Sequence, residues 1–375
     1  MSNRWKGGFI QAYFDPLTED PGTMALYGWG NGTLGPLDEA ALRRSSPVQI
    51  GADVGWDQIN ASSNSSFSIK LNGTLWSWGI STYGNLGLNT TATSSSPVQV
   101  GALTTWSSLK TGYSSNGAAI KTDGTLWMWG QGLYGVNGQG NVIDYSSPVQ
   151  VGSDTNWRQI SNSSGTAVAT KTDGTAWSWG VNNSGGLGLN NTISTNSPIQ
   201  IGSDTDWAIL SHGGGEVTGA IKTDGTLWAW GENSNGAVGQ NNTFDYSSPV
   251  QIGALTNWES ISTGALGHIA KKTDGTLWSW GTNNYGGLGQ NTTINYSSPV
   301  QIGSDTDWQT CSMGNYFSGA TKTDGSLYMW GYNIDGRADT LIAVHRSSPV
   351  QVGSLTSWVS ISLGGSHTLA TFNTE

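Results

Sequence analysis

Cysteine is almost missing: the 375 residues contain one, Cys311. A single thiol excludes an internal disulfide framework and any cysteine-cluster zinc site. Charge is scarce too. Asp, Glu, Lys and Arg make up 11% of the chain, under half the usual share of about 25%. The net charge is −10, the wrong sign for a general nucleic-acid binder, which shows a basic surface. No run of about 18 apolar residues occurs, so neither a membrane-spanning helix nor membrane insertion is expected. Arg4 and Lys6 lie near the start with no apolar stretch behind them, so the opening does not read as a secretory signal. What is abundant is glycine, 55 residues, and tryptophan, 20. Glycine without a three-residue period excludes collagen, and abundant Trp with low charge excludes an ordinary disordered chain.

The tryptophans are periodic. Trp-Gly recurs at Trp29, Trp78, Trp129, Trp179, Trp230, Trp280 and Trp330, in steps of 49 to 51 residues. Ser-Pro-(Val/Ile)-Gln recurs with its proline at Pro47, Pro97, Pro148, Pro198, Pro249, Pro299 and Pro349. Trp-x-x-(apolar) recurs at Trp56, Trp106, Trp157, Trp207, Trp258, Trp308 and Trp358. Three independent markers give seven units at one period, the signature of a repeat architecture.

Each unit reads as four short strands. Around Trp280, a small-residue stretch at 267–271 is followed by Thr273-Asp274-Gly275, a hairpin signal. Leu277-Trp278-Ser279-Trp280 alternates with period two, Pro299-Val300-Gln301-Ile302 is a third strand, and Trp308 opens the fourth. The expected fold is all-β, a seven-bladed β-propeller of about 50-residue repeats. A linear β-solenoid is the alternative, and the termini argue against it. The first Trp-Gly strand, 24–29, lacks its preceding small-residue strand, and the last unit ends with that strand alone, 366–372. Pairing the two closes a ring and removes the raw edges. The domains are then an N-terminal extension, 1–22, and a propeller, 23–375. The small-residue strand is expected innermost, with the Trp-Gly strand second.

The string Asp-Gly-Thr-Leu-Trp-x-Trp-Gly, Asn-x-x-Gly-x-Leu-Gly, Ser-Pro-Val-Gln-(Val/Ile)-Gly resembles the repeat of the regulator-of-chromosome-condensation family. The resemblance covers about residues 23–372 and implies a seven-bladed propeller, in agreement with the count. Members include a nucleotide exchange factor, a plant ultraviolet photoreceptor and many modules of other roles. The family's repeat histidine is present at His268 and His367. The exchange factors use a protruding insertion, and no step between these repeats exceeds 51 residues. The opening, 5–16, with Trp5, Phe9, Tyr13 and Phe14, is similar to the start of structural proteins of tailed phages from marine bacteria.

Chemistry-bearing residues read as scaffold. Nineteen tryptophans occupy three repeat positions, which points to core packing; only Trp5 escapes the pattern. Cys311 aligns with Ile59, Leu109, Ile160, Leu210, Ile261 and Ile361 and stands in for a buried aliphatic residue. Asp123, Asp173, Asp224, Asp274 and Asp324 are hairpin-turn residues, replaced once by Asn72. His212, His268, His345 and His367 show no metal spacing. No catalytic, cofactor or metal residue is expected, and the protein is not expected to be an enzyme.

The repeats carrying Trp29 and Trp330 break the pattern. Their loops hold Arg43 and Arg44, and Arg337 and Arg346, four of the six arginines in the chain. Ring closure makes these repeats neighbours. Trp5, Phe9, Tyr13, Phe14, Arg43, Arg44, Arg337 and Arg346 are therefore the expected partner-binding residues, one continuous docking site of aromatic and arginine side chains. The expected function is a non-enzymatic binding propeller, virion-associated as a capsid decoration or tail appendage of a bacteriophage. Its partners would be virion proteins or copies of itself, with a host-surface glycan reached through the polar loops. The alternative is a cytoplasmic scaffold or regulatory module of the chromosome-condensation-regulator type.

Overall fold

The computed structural model describes residues 23–31, 43–112, 115–163, 165–338 and 344–375. They form seven four-stranded antiparallel sheets. Six are built from consecutive strands: blade one (56–99), two (106–150), three (157–200), four (207–251), five (258–301) and six (308–351). Blade seven is composite, with Trp358–Leu363, His367–Asn373, Met24–Asn31 and Arg43–Gln49 in that order. Met24 lies opposite Asn373 and Gly30 opposite His367, so the two ends of the chain close the ring as expected.

The order within a blade differs from the expectation. The Trp-x-x-apolar strand is innermost: these strands contact one another around the ring. The small-residue strand is second, the Trp-Gly strand third and the Ser-Pro strand outermost. The small residues answer to neighbouring side chains, not to the narrowing axis. A Cβ on Gly117 would lie 2.1 Å from the Trp129 indole of its own blade, and one on Gly219 would lie 2.4 Å from Ile261 of the next.

Tryptophan supplies the mortar between blades. The Trp-Gly indoles of the third strand are 0–1% exposed. Trp129, Trp179, Trp230, Trp280 and Trp330 each donate Nε1–H to a carbonyl of the preceding blade, at 2.7–2.9 Å. The accepting loops are glycine-rich because the indole lies on them: a Cβ on Gly188 would lie 2.7 Å from Trp230 Nε1. Each of these bonds satisfies a polar atom that burial would otherwise strand.

The turns obey local chemistry. Asp123 accepts from Thr125 N–H and Oγ1, and Thr125 Oγ1 accepts from Trp127 Nε1 at 2.8 Å. The same relay recurs at Asp173, Asp224 and Asp274, and at Asn72. The Thr125 hydroxyl and amide hold the Asp123 carboxyl below its ordinary range. These aspartates are spent on turns, as the sequence implied.

Antiparallel order gives the disc two unlike faces. First-to-second turns and third-to-fourth loops share one, the loop face. Asp-Gly turns and interblade connections share the other, the turn face.

Candidate functional site

The innermost strands leave backbone edges that the neighbouring blade satisfies, mostly with side chains. Gln159 donates to Leu210 O and accepts from Leu210 N–H, clamping the next blade. Four residues after each inner Trp, a hydroxyl or amide accepts from the next blade's backbone: Asn60 from Thr111, Ser161 from His212, Ser211 from Thr263, Ser262 from Met313, Ser312 from Leu363, Ser362 from Ala61. The seventh position is Lys110. Its Nζ reaches Ser211 Oγ at 3.2 Å, two blades along, and burial lowers its pKa to about 7. Here the backbones bridge directly, Thr111 to Asn162. Cys311 is half-buried beside Ser260 Oγ, and burial pushes its thiol up to about 11, which suits packing and not nucleophilic attack.

The arginines gather where blade six meets blade seven. Arg43 Nη1 lies 3.3 Å from Asp335, and Arg337 Nη2 bonds the same carboxylate. Arg43 is exposed, with Arg44 and Arg346 half-buried at the loop-face ends of their outer strands. Arg337 departs from the expectation of a surface docking residue. It is 6% exposed, donates to Gly365 O and lies over the Tyr332 ring at 4.8 Å. It occupies a place held in other blades by Asn85, Val136, Gly186, Ala237 and Gly287, beneath the next blade. Trp5, Phe9, Tyr13 and Phe14 lie outside the described residues. The chain enters the ring at Thr23 and Met24, on the turn face, whereas Arg43 and Arg44 lie opposite Asn31 and Gly30 on the loop face. Those entry points are about 20 Å apart along the strand.

Beside the arginines, on the loop face, is a cleft of about 300 Å³. Tyr285, Tyr316, Tyr332 and Arg337 line it, with Asn64 and Asn315. Tyr285 meets Tyr332 edge-on at 4.8 Å and Tyr316 at 5.4 Å, and His345 stacks on Tyr332 at 4.9 Å.

The sequence reading missed a ring of exposed apolar side chains. Five residues before the Ser-Pro proline of blades one to six stand Ala92, Ile143, Ile193, Phe244, Ile294 and Val344. Ile193, Phe244 and Ile294 are 70%, 75% and 66% exposed. Their backbone is fixed from both sides. Asn191 and Asn242 accept from the N–H of Ile193 and Phe244 in Asx turns, and Thr292 does so for Ile294. The buried amides of Asn182, Asn233 and Asn283 donate to their carbonyls. The signal was available as an apolar residue at fixed offset inside loops otherwise made of Asn, Thr and Ser.

Among the described residues, no three His, Cys, Asp or Glu side chains group as a metal site. No helix there is long and apolar enough to cross a membrane.

The fold has well-matched relatives of known structure. Prp20p from Saccharomyces cerevisiae superposes with a TM-score of 0.83 at 17% identity, over 93% of this chain and 91% of that one. Human WBSCR16 gives 0.80 at 17% identity, over 93% and 98%. In sequence, the chain is 29% identical to the ultraviolet-B receptor UVR8 of Arabidopsis thaliana over 236 residues, 61% of this chain and 54% of the receptor. It is 23% identical over 246 residues to the human E3 ubiquitin-protein ligase HERC2, of which the match spans 5%. The chain thus matches about half of the first relative and a small part of the second. The regulator of chromosome condensation (RCC1) repeat matches residues 72–118, 173–221, 224–268, 274–321 and 324–371, well over half of the chain, and the protein belongs to that repeat family.

Proposed function

We propose that this propeller is a non-catalytic protein-binding module that presents its loop face to a partner. The observation that carries the reading is the apolar ring. Ile193, Phe244 and Ile294 are held out in water by backbone bonds at both their N–H and C=O groups. A rigid backbone with exposed large apolar side chains is a preorganised contact surface, because little freedom is left to lose on binding. Arg43, Arg44 and Arg346 add a polar, positively charged sector to the same face. Relatives of this fold are described with protein partners: Prp20p with Gsp1p and histones, and yeast RCC1 (Prp20) bound to Kap60.

The finer reading is a virion-associated protein of a bacteriophage, a capsid decoration or tail appendage, localised on the particle. What supports it is the similarity of residues 5–16 to phage structural proteins. In this reading residues 1–22 anchor the module from the turn face and the loop face points outward. A cytoplasmic scaffold of the same fold is separated from it by genome neighbourhood, capsid and tail genes against cellular ones.

The test is a triple variant, Ile193→Ser, Phe244→Ser and Ile294→Ser, used with the wild type to capture proteins from the source. The variant is expected to melt as the wild type does, because these side chains fill no core, and to lose partner capture by at least about tenfold, 1.4 kcal/mol. Unchanged capture would overturn the reading.

A further inference from the structure

In a sevenfold repeat, positions that depart from the pattern are the ones the fold does not dictate, and three of them line one cleft. Arg337 replaces uncharged residues, as described above. Tyr332 follows Trp-Gly, where other blades have Ile80, Gln131, Val181, Glu232 and Thr282. Tyr316 sits at φ +66°, a left-handed conformation that bulky side chains seldom adopt. Blade three uses Gly165 at the matching turn, φ +87°, where glycine avoids the strain. Glu216, at φ +60° in blade four, uses its carboxylate to cap Ser184 N–H. The Tyr316 ring instead packs edge-on against Tyr285 in the cleft. Backbone strain, an atypical aromatic and a buried guanidinium thus converge on one space.

We propose that this cleft binds an acidic sugar, a pyranose unit carrying a carboxylate at the end of a glycan chain. The charge argument comes first. Among the described residues Asp335 is shared by Arg43 and Arg337, so two guanidiniums face one carboxylate. Arg337 has five N–H donors. Its described bonds use one on Nη1 and one on Nη2, and its buried Nε has no partner among the described residues. An anion in the cleft would balance the second guanidinium and accept from Nη hydrogens that Gly365 and Asp335 leave unused, since the buried Nε faces no solvent, and an Arg fork suits a carboxylate.

Shape and lining select the rest of the ligand. The volume, about 300 Å³, is at the lower end of the small-molecule range of roughly 300–1,000 Å³ and suits one ring. The three tyrosines offer apolar ring surface to the C–H face of a sugar, and Asn64 and Asn315 offer amides to its hydroxyls. A free phosphate would leave the aromatic walls without a partner. A neutral sugar would leave the charge without one. An acidic peptide side chain would satisfy the arginine but present no hydroxyl array to the asparagines.

The experiment titrates the full chain, by ligand-observed NMR, with methyl glucuronide and N-acetylneuraminic acid. Methyl glucoside and a short Asp/Glu peptide serve as comparators. Both acidic sugars are expected to bind at least about tenfold more tightly than the glucoside and to weaken as salt is raised. Arg337→Gln should abolish the preference, but this residue also bonds Gly365 and could disturb the joint. Tyr316→Gly is the control for folding: it relieves the backbone, should leave the melting temperature equal or higher, and should weaken the acidic sugars at least about tenfold. Equal binding of acidic and neutral sugars, no acidic-sugar binding, or tightest binding of the peptide would each overturn the proposal. So would full affinity in the Tyr316→Gly variant. These outcomes leave the protein-docking reading untouched, since its test changes other residues, Ile193, Phe244 and Ile294.

Discussion

The buried histidines show how much of a residue's role depends on register. His212 Nδ1 lies 2.7 Å from Thr218 Oγ1, His268 Nδ1 lies 3.0 Å from Thr263 Oγ1, and His367 Nε2 lies 2.9 Å from Ser66 Oγ. Burial lowers the pKa of each to about 3; His212 adds to the effect at His268, and Arg337 at His367. The unfolded chain takes up protons below about 6.5, the folded chain only near 3. The stability these neutral rings contribute is therefore complete above pH 6.5 and is lost as pH falls from 6.5 towards 3, by up to about 1.4 kcal/mol per unit for each ring. We expect the denaturant midpoint to fall steeply between pH 6.5 and 4, and the slope to flatten when His212 and His268 are replaced by Asn. An unchanged slope would show that other groups govern acid unfolding. Sequence reading placed His268 and His367 at one repeat position. The sheets separate them: His268 faces Trp280, whereas His367 faces Gly30, one residue earlier. The spacing His-x-Ala at 268–270 against His-x-x-Ala at 367–370 held that difference, but a one-residue offset is physically meaningful only once strand register is known.

At the scale of strands, period and closure were legible because three Trp- and Pro-based markers recur independently and each terminus lacks half a hairpin. Strand order was not. Small side chains in the second strand looked like the narrowing axis, while they make room for indoles such as Trp129 and for branched side chains such as Ile261. Composition reports that space is short, not which neighbour takes it. The closure can be tested directly. Met24–Asn31 has His367–Asn373 on one side and Arg43–Gln49 on the other, and Trp29 and Trp358 share one core cluster. Deleting 366–375 removes a whole strand from the middle of blade seven, so its two flanking strands can no longer pair. We expect loss of cooperative thermal unfolding, or a melting temperature lower by more than the roughly 2–4 °C that 1 kcal/mol moves in a domain of 150–250 residues. A truncation that melts as the full chain does would mean the ring is held elsewhere.

At the scale of the whole disc, the residues expected to form one site connect to the ring at two different faces. The arginine loops were visible as breaks in the repeat, and the structure does bring Arg43 and Arg337 together through Asp335. What the sequence could not show was direction. One strand, Met24–Asn31, lies between them, and it puts the entry of residue 23 on the turn face and Arg43 on the loop face. Trp5, Phe9, Tyr13 and Phe14 remain candidate anchors by composition, since Trp and Tyr are enriched among residues that carry binding energy. If anchoring and capture lie on opposite faces, they should be separable. Deleting 1–22 should abolish attachment to the particle or assembly while leaving loop-face capture of the partner within about twofold of wild type. Changing Arg43, Arg44 and Arg346 to Ser should do the reverse, weakening capture and steepening its loss with salt while attachment persists, because rim charges act mainly on encounter. Co-sedimentation with the assembly and surface-immobilised capture of the partner read the two functions independently. If both variants lose both functions together, tail and arginines act as one site despite their opposite entry points. If the tail deletion attaches normally, residues 1–22 are not the anchor, and attachment must be sought on the disc itself.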